Sequence, residues 1–260
     1  MALAGCQSAP RTTARLAPLS AEKAIAVVDD NAARVTATLR AVGDVDGTFV
    51  LPDGERRGYS ADGTLFYLPP GNVRFDLKKL GERQMLLGAN ERSYWCYNKA
   101  DDRWVCGPAG EPMDLPVDFA MSPEQLVRSL GLSPLSSAGD ELRGDRWIAS
   151  RVLEEHQELL ILEESDEGRA MVTREYWIER SEPRVVSRVI FRNEDGVIEF
   201  ESRLSRHVRL ENGAWAPTRL EARWGDRGAF MRFSVNRWTI EPRVTRDGPQ
   251  FATPTECAEP

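Results

Sequence analysis

Four cysteines and two histidines are the side chains with most chemistry to offer in this chain of 260 residues. Cys96 and Cys106 flank Tyr97 to Val105, a segment that reads as a β-hairpin: an aromatic strand, a polar turn over Asn98-Lys99-Ala100-Asp101-Asp102, then Arg103-Trp104-Val105. Pairing symmetric about that turn sets the two sulfurs opposite each other, so a Cys96–Cys106 cross-strand disulfide is expected. Such a bond fits an oxidising compartment. A two-cysteine zinc site fits less well, because no second pair or nearby histidine completes a tetrahedron, and no metal site is expected. Cys257 is left over in a proline-rich tail and no structural role is expected for it. His156 and His207 fall in strand-like segments without the serine, cysteine or carboxylate cluster that makes a triad or metal motif. The pairs Glu154-Glu155 and Glu163-Glu164 offer carboxylates, but neighbours on a strand point to opposite faces, so neither pair can act on one substrate. No phosphate-binding glycine loop is present. The chain reads as a non-enzyme with no cofactor.

The fourth cysteine opens the chain. Leu3-Ala4-Gly5-Cys6 resembles the lipobox of bacterial lipoproteins: a branched apolar residue, two small ones, then the cysteine whose sulfur takes the diacylglycerol. Cys6 is therefore the expected lipidation site and first mature residue; the alternative is an ordinary N-terminus with a free thiol. A signal peptide needs an apolar stretch of about 7–15 residues, so the basic and apolar parts of the precursor are expected upstream of Met1. Gln7, where an aspartate would alter sorting, permits by that resemblance passage to the outer membrane. Residues 7–18 are rich in Ala, Pro, Thr and Arg and read as a tether.

Chemistry of this kind needs a scaffold, and the pattern supplies one. Ser20 is a good cap for a helix carrying Ile25, Val28, Ala32 and Val35 along one stripe, with Glu22, Lys23, Asp29 and Asp30 opposite. Period two then takes over. Val73, Phe75 and Leu77 alternate with Arg74, Asp76 and Lys78; Ile198, Phe200 and Leu204 with Glu199, Glu201 and Arg203; Leu220 and Trp224 with Arg219, Glu221 and Arg223. Turn signals such as Pro52-Asp53-Gly54, Pro69-Pro70-Gly71 and Glu211-Asn212-Gly213 recur as in a meander. A second helix begins at Ser122-Pro123-Glu124-Gln125 and carries Leu126, Val127 and Leu130. The expected organisation is a signal remnant and tether over 1–18, one domain over 19–240, and a tail over 241–260. The fold class is mainly β (α+β): a strongly curved antiparallel sheet or incomplete β-barrel with covering helices. The formal charge of −7 argues against nucleic acid as a partner. No run approaches the roughly 18–20 apolar residues of a membrane-spanning helix, so any membrane contact is by attachment.

Two blocks of residues are similar to the LolA/LolB superfamily of lipoprotein carriers and related lipid-binding lipoproteins. The first is Tyr67-Leu68-Pro69-Pro70-Gly71-Asn72-Val73-Arg74-Phe75-Asp76, followed by Met85-Leu86-Leu87 and Tyr94-Trp95. The second is Tyr176-Trp177-Ile178-Glu179-Arg180, Pro183-Arg184, Asp195-Gly196 and Pro217-Thr218. The resemblance implies an incomplete barrel closed by helices around a hydrophobic interior that holds acyl chains. Val73, Phe75, Leu77, Ile198, Phe200, Leu204, Leu220 and Trp224 would line it; alternatively these side chains simply fill a core. Trp95, Trp104, Trp177 and Trp238 carry the same two readings. Arg74 occupies the family motif's arginine position, or else pairs outward with a neighbouring carboxylate. The implied function is that of a lipid-anchored outer-membrane lipoprotein facing the periplasm, with lipid or lipoprotein acyl chains as ligand. A sensor or interaction module on the same scaffold, similar to RseB, is the alternative, and no protein partner is indicated. No segment stands out as the protruding loop with an exposed leucine that LolB uses.

Overall fold

The computed structural model describes residues 15–50, 54–100, 102–109, 122–135, 146–165, 167–225 and 228–257. Cys6, Gln7 and the first part of the expected tether lie outside the described residues. Among the described residues, alternation becomes thirteen strands: β1 (Thr38–Val50), β2 (Arg56–Leu68), β3 (Asn72–Lys79), β4 (Glu82–Ala89), β5 (Ser93–Asn98), β6 (Arg103–Pro108), β7 (Arg146–Val152), β8 (His156–Glu164), β9 (Ala170–Glu179), β10 (Val186–Arg192), β11 (Ile198–Arg209), β12 (Trp215–Trp224) and β13 (Ala229–Glu241). They form one open sheet in the order β6-β5-β4-β3-β2-β1-β13-β12-β11-β10-β9-β8-β7. Two antiparallel meanders meet where β1 pairs β13, so the first and last strands lie side by side in the middle and β6 and β7 are the edges.

Both helices start where their caps require. Ser20 accepts a hydrogen bond from the Lys23 N–H at the head of α1 (Ala21–Ala33), which buries Ala24, Val28 and Ala32. Ser122 and Gln125 complete a reciprocal capping box at α2 (Pro123–Ser129), with proline in the first turn. The α2 helix sits in the connection between the two sheet edges and touches β3, β4 and β10, while α1 touches β7 and β8. One apolar cluster joins Val28 of α1, Leu126, Val127 and Leu130 of α2, and the inward residues of the strands.

The opposite face is a ladder of arginines and glutamates. Arg188 binds Glu201 at 2.9 Å, Arg203 joins the same carboxylate, and Glu221 holds Arg219 at 2.6 Å and Arg232 at 2.9 Å. Burial alone would raise the Glu201 and Glu221 carboxyls, but hydrogen bonds from these arginines outweigh it and hold both below the ordinary value. Burial drives the His207 imidazole down to about 4, against a weaker opposing bond to the Val186 backbone. A folded pKa below its unfolded value means that the unfolded chain takes up the proton first. The His207 contribution is therefore complete above roughly pH 6.5 and is lost as pH falls towards 4. The glutamate contributions persist to about pH 4.5 and fail below it. Urea midpoints should accordingly decline in two stages between pH 7.5 and 3, and His207→Gln should flatten the upper one. A wild-type midpoint that is level from pH 7 to 5 would contradict this assignment.

Beyond β13 the chain, expected as a tail over 241–260, runs back over the outer face as a strap. The Thr38 hydroxyl donates to the Val244 carbonyl at 2.6 Å, Asn90 Nδ2 to the Phe251 carbonyl at 3.0 Å, and Phe251 is 1% exposed. The strap ends in a short 3-10 turn, Thr255–Cys257, where Cys257 is bonded to Cys106. This corrects the disulfide expectation. In the β5–β6 register Cys96 faces Val105 and Cys106 faces Trp95, because the turn between Asn98 and Arg103 spans residues 99–102. Only a turn with an odd number of residues would set Cys96 against Cys106; with an even one they fall on opposite faces of the sheet. Cys96 is a free, buried thiol pushed up to about 12 by desolvation, which makes it inert.

Candidate functional site

Of the residues expected to line an interior, Val73, Phe75, Leu77, Phe200, Leu204, Leu220 and Trp224 are buried together on the inner face. Ile198 is the exception. It lies past a register shift between Phe191 and Arg192, at the start of β11, half-buried and outside the cluster. The aromatic members interlock: Phe200 stands edge to face with Trp224 at 5.3 Å and tilted to Phe191 at 5.9 Å, and Phe75 is tilted to Phe233 at 5.3 Å. The other tryptophans have separate places. Trp95 is buried on the outer face, Trp177 stacks under the Arg188 guanidinium at 4.5 Å, and Trp238 borders the cluster and donates to the Pro217 carbonyl.

The α2 helix contacts β3, β4 and β10 and adds Leu126, Val127 and Leu130 to the apolar cluster. Between Leu126, Ser129 and Leu130 above and Phe75, Leu220 and Phe233 below remains a cavity of about 20 Å³, room for about one water molecule. Polar bonds also hold this segment in place. Ser202 Oγ donates to the Ser129 carbonyl at 3.0 Å, and the Tyr67 hydroxyl lies 3.3 Å from Ser133 Oγ. Burial pushes the Tyr67 phenol up to about 12, so it stays a neutral partner. Asp29 of α1 accepts the Leu135 N–H at 2.6 Å. Arg174, buried on β9, reaches Glu124 of α2 at 3.2 Å and Glu163 at 3.1 Å. Beyond the helix, Gly131 adopts φ +65° against Leu204 and Val186, a close approach that glycine alone allows without strain.

Arg74 projects outward. Its guanidinium lies 3.5 Å from Asp76 of its own strand and 3.5 Å from the Pro249 and Gln250 carbonyls of the strap. Leu80, at the tip of the β3–β4 hairpin, is 96% exposed with φ +53°, followed by Gly81 at φ +83°. A two-residue hairpin turn with both residues at positive φ ordinarily takes Asn-Gly, so Leu-Gly in that place, after Lys78-Lys79, was the available signal. An exposed leucine at a hairpin tip is thus present among the described residues.

No metal-ligand cluster and no helix long and apolar enough to cross a membrane occur among the described residues. No family model matches the sequence, and no curated protein does. Solved structures do match. A DUF1329 family protein from Desulfovibrio piger is similar at TM-score 0.55 and 9% identity, over 86% of this chain and 94% of that one. A LolA superfamily protein from Nitrosomonas europaea is similar at TM-score 0.51 and 12% identity, over 86% of this chain and 94% of that one. The chain has the LolA/LolB-like fold. A further example of the fold is a domain named for outer membrane lipoprotein sorting, from Vibrio parahaemolyticus, at TM-score 0.52 and 10% identity, over 87% of this chain and 95% of that one. Within this LolA/LolB-like fold the present chain sets α2 against β3, β4 and β10 and straps its outer face with the Cys106-bonded C-terminal segment.

Proposed function

We propose that this chain is a non-enzymatic lipoprotein of the bacterial envelope, anchored through Cys6, that takes up acyl chains between α2 and the inner face of the sheet. The observation that carries the reading is the one-sidedness of that face. Seven of the expected lining residues (Val73, Phe75, Leu77, Phe200, Leu204, Leu220 and Trp224) are buried there, and what touches them from above at the centre is a helix of two turns. Likeness in fold to a lipoprotein-sorting domain and a LolA superfamily protein supports it.

With so small a cavity, a ligand must displace α2 rather than slip beside it. The energies permit the exchange. Burying Leu126, Val127 and Leu130 is worth about 1.5–3 kcal/mol each, and an acyl chain returns about 0.8 kcal/mol per buried methylene, so about a dozen methylenes offset that loss even at its upper figure. Titrating the delipidated, folded protein with a fluorescent fatty acid tests this directly, and absence of saturable binding would sink it.

The Leu80 hairpin fits the membrane end of the same task. A leucine that makes no use of the core, beside two lysines, can enter a bilayer interface while the lysines stay among the headgroups. In the non-acylated protein, Leu80→Glu should abolish most co-sedimentation with anionic vesicles and leave the urea midpoint within about 0.5 kcal/mol of wild type. Equal co-sedimentation of the two proteins would remove the hairpin from the membrane.

A further inference from the structure

We infer that the outer face of β1–β3 carries a phosphate-binding groove, built from Arg40, Arg74 and Lys78 over a floor of Phe66, with the strap as its side wall. The register sets these residues together. Arg40 faces Phe66, which faces Arg74, so two guanidiniums flank one aromatic ring across three strands. Lys78 follows four residues along β3 on the same face, and Pro249 and Gln250 of the strap close the side. The groove encloses about 310 Å³. It lies on the far side of the sheet from Phe75 and Leu220, so it is separate from the inner face and does not depend on acyl binding there.

Charge decides what the groove accepts. Its lining carries three cations against one carboxylate, Asp76. Arg83 already takes both oxygens of Asp76, at 3.0 Å each. Arg40 stands over the Phe66 ring with its centre 5.7 Å from the centroid, its Nε is buried without a partner, and its nearest carboxylate oxygen, on Glu241, is 3.9 Å away. Arg74 reaches the Pro249 and Gln250 carbonyls only at 3.5 Å. Lys78 is exposed at the mouth. In a protein of formal charge −7, this local surplus of cations runs against the overall field and draws an anion. Two planar guanidiniums, one from β1 and one from β3, and a β3 ammonium suit the several oxygens of a tetrahedral phosphate better than a single planar carboxylate. The volume beyond one ion, with Phe66 and Pro249 beside it, leaves room for an organic substituent. The phosphate can belong to a glycerophospholipid headgroup, since Lys78 is two residues from Leu80, or to a free phosphate.

Calorimetric titration of the intact protein with inorganic phosphate, and separately with monomeric short-chain phosphatidylglycerol, tests the site. Saturable binding of either probe is expected, weakened at least tenfold in Arg40→Gln/Lys78→Gln and unchanged in Lys23→Gln, at an exposed position on α1. Lys78→Glu alone, at an exposed position, should lose binding without loss of melting temperature, which separates the site from folding. Fatty-acid uptake should be the same in all four proteins. Binding of phosphate alone identifies the ligand as a free phosphate, and binding of the lipid probe alone identifies it as a headgroup. The proposal is overturned if wild type binds neither probe, or if the double variant binds as wild type does.

Discussion

Removing the Cys106–Cys257 bond, by reduction or by Cys257→Ser, is expected to cost up to about 5 kcal/mol of stability in the chain-entropy account of cross-links. The size follows from the span. The bond ties positions 151 residues apart, so it constrains most of the unfolded chain, whereas the Cys96–Cys106 pairing first expected would have closed a short loop. The measured loss should fall short of the full figure, because the strap keeps other holds: Phe251 in its buried seat, Thr253 against Ser93 at 2.8 Å, and Arg246 on Glu91. Those contacts cannot replace the bond at edge strand β6, whose last residues pair only with β5. Urea denaturation of oxidised and Cys257→Ser protein at pH 7 measures the difference. A midpoint shifted by less than the equivalent of 1 kcal/mol would show that the strap is held by packing alone. Cys96 cannot take the place of Cys257, since it is buried on the opposite face of the sheet from Cys106.

The elements were legible because their signals are local. Alternation along Val73-Arg74-Phe75-Asp76-Leu77 specifies a strand with one dry face whatever surrounds it, and the Ser122-Gln125 box specifies a helix start. Properties that depend on a single residue of register were not legible. The parity of the turn at residues 99–102 decides which face Cys106 joins, and no propensity distinguishes four turn residues from five. The strap has no periodicity at all between Pro242 and Pro254; its order comes from groups far away in sequence, such as Thr38, Asn90 and Cys106. Likewise the inner face could be listed from alternation, but whether it encloses a hollow or a helix is a matter of volume. Leu126, Val127 and Leu130 read as one apolar stripe in either case, and only the structure brings α2 to Phe75 and Leu220 with a cavity of about 20 Å³ between them.

That position makes Gly131→Ala the most telling variant. A methyl group at residue 131 would begin 2.6 Å from Leu204 Cδ1 and 3.2 Å from Val186 Cβ, on a backbone at φ +65°. The left-handed conformation costs a non-glycine residue about 1 kcal/mol, and the displaced Leu204 terminus adds a similar amount, so roughly 2 kcal/mol is lost from the state in which α2 is seated. Nothing is lost from a state in which α2 has left the sheet, because residue 131 is then free to relax. If acyl chains bind only the second state, its population, and with it the apparent affinity, rises by about 30-fold for 2 kcal/mol so long as it remains the minor form. Ser202→Ala, which deletes the bond to the Ser129 carbonyl, should act in the same direction by a smaller step of about 1 kcal/mol. The signature is a pair of opposite changes: a lower urea midpoint and a tighter fatty-acid Kd in the same protein. Simple damage to the core would weaken both. A Gly131→Ala protein that is less stable and binds fatty acid no more tightly than wild type would show that α2 is a fixed part of the core and does not yield its seat to a ligand.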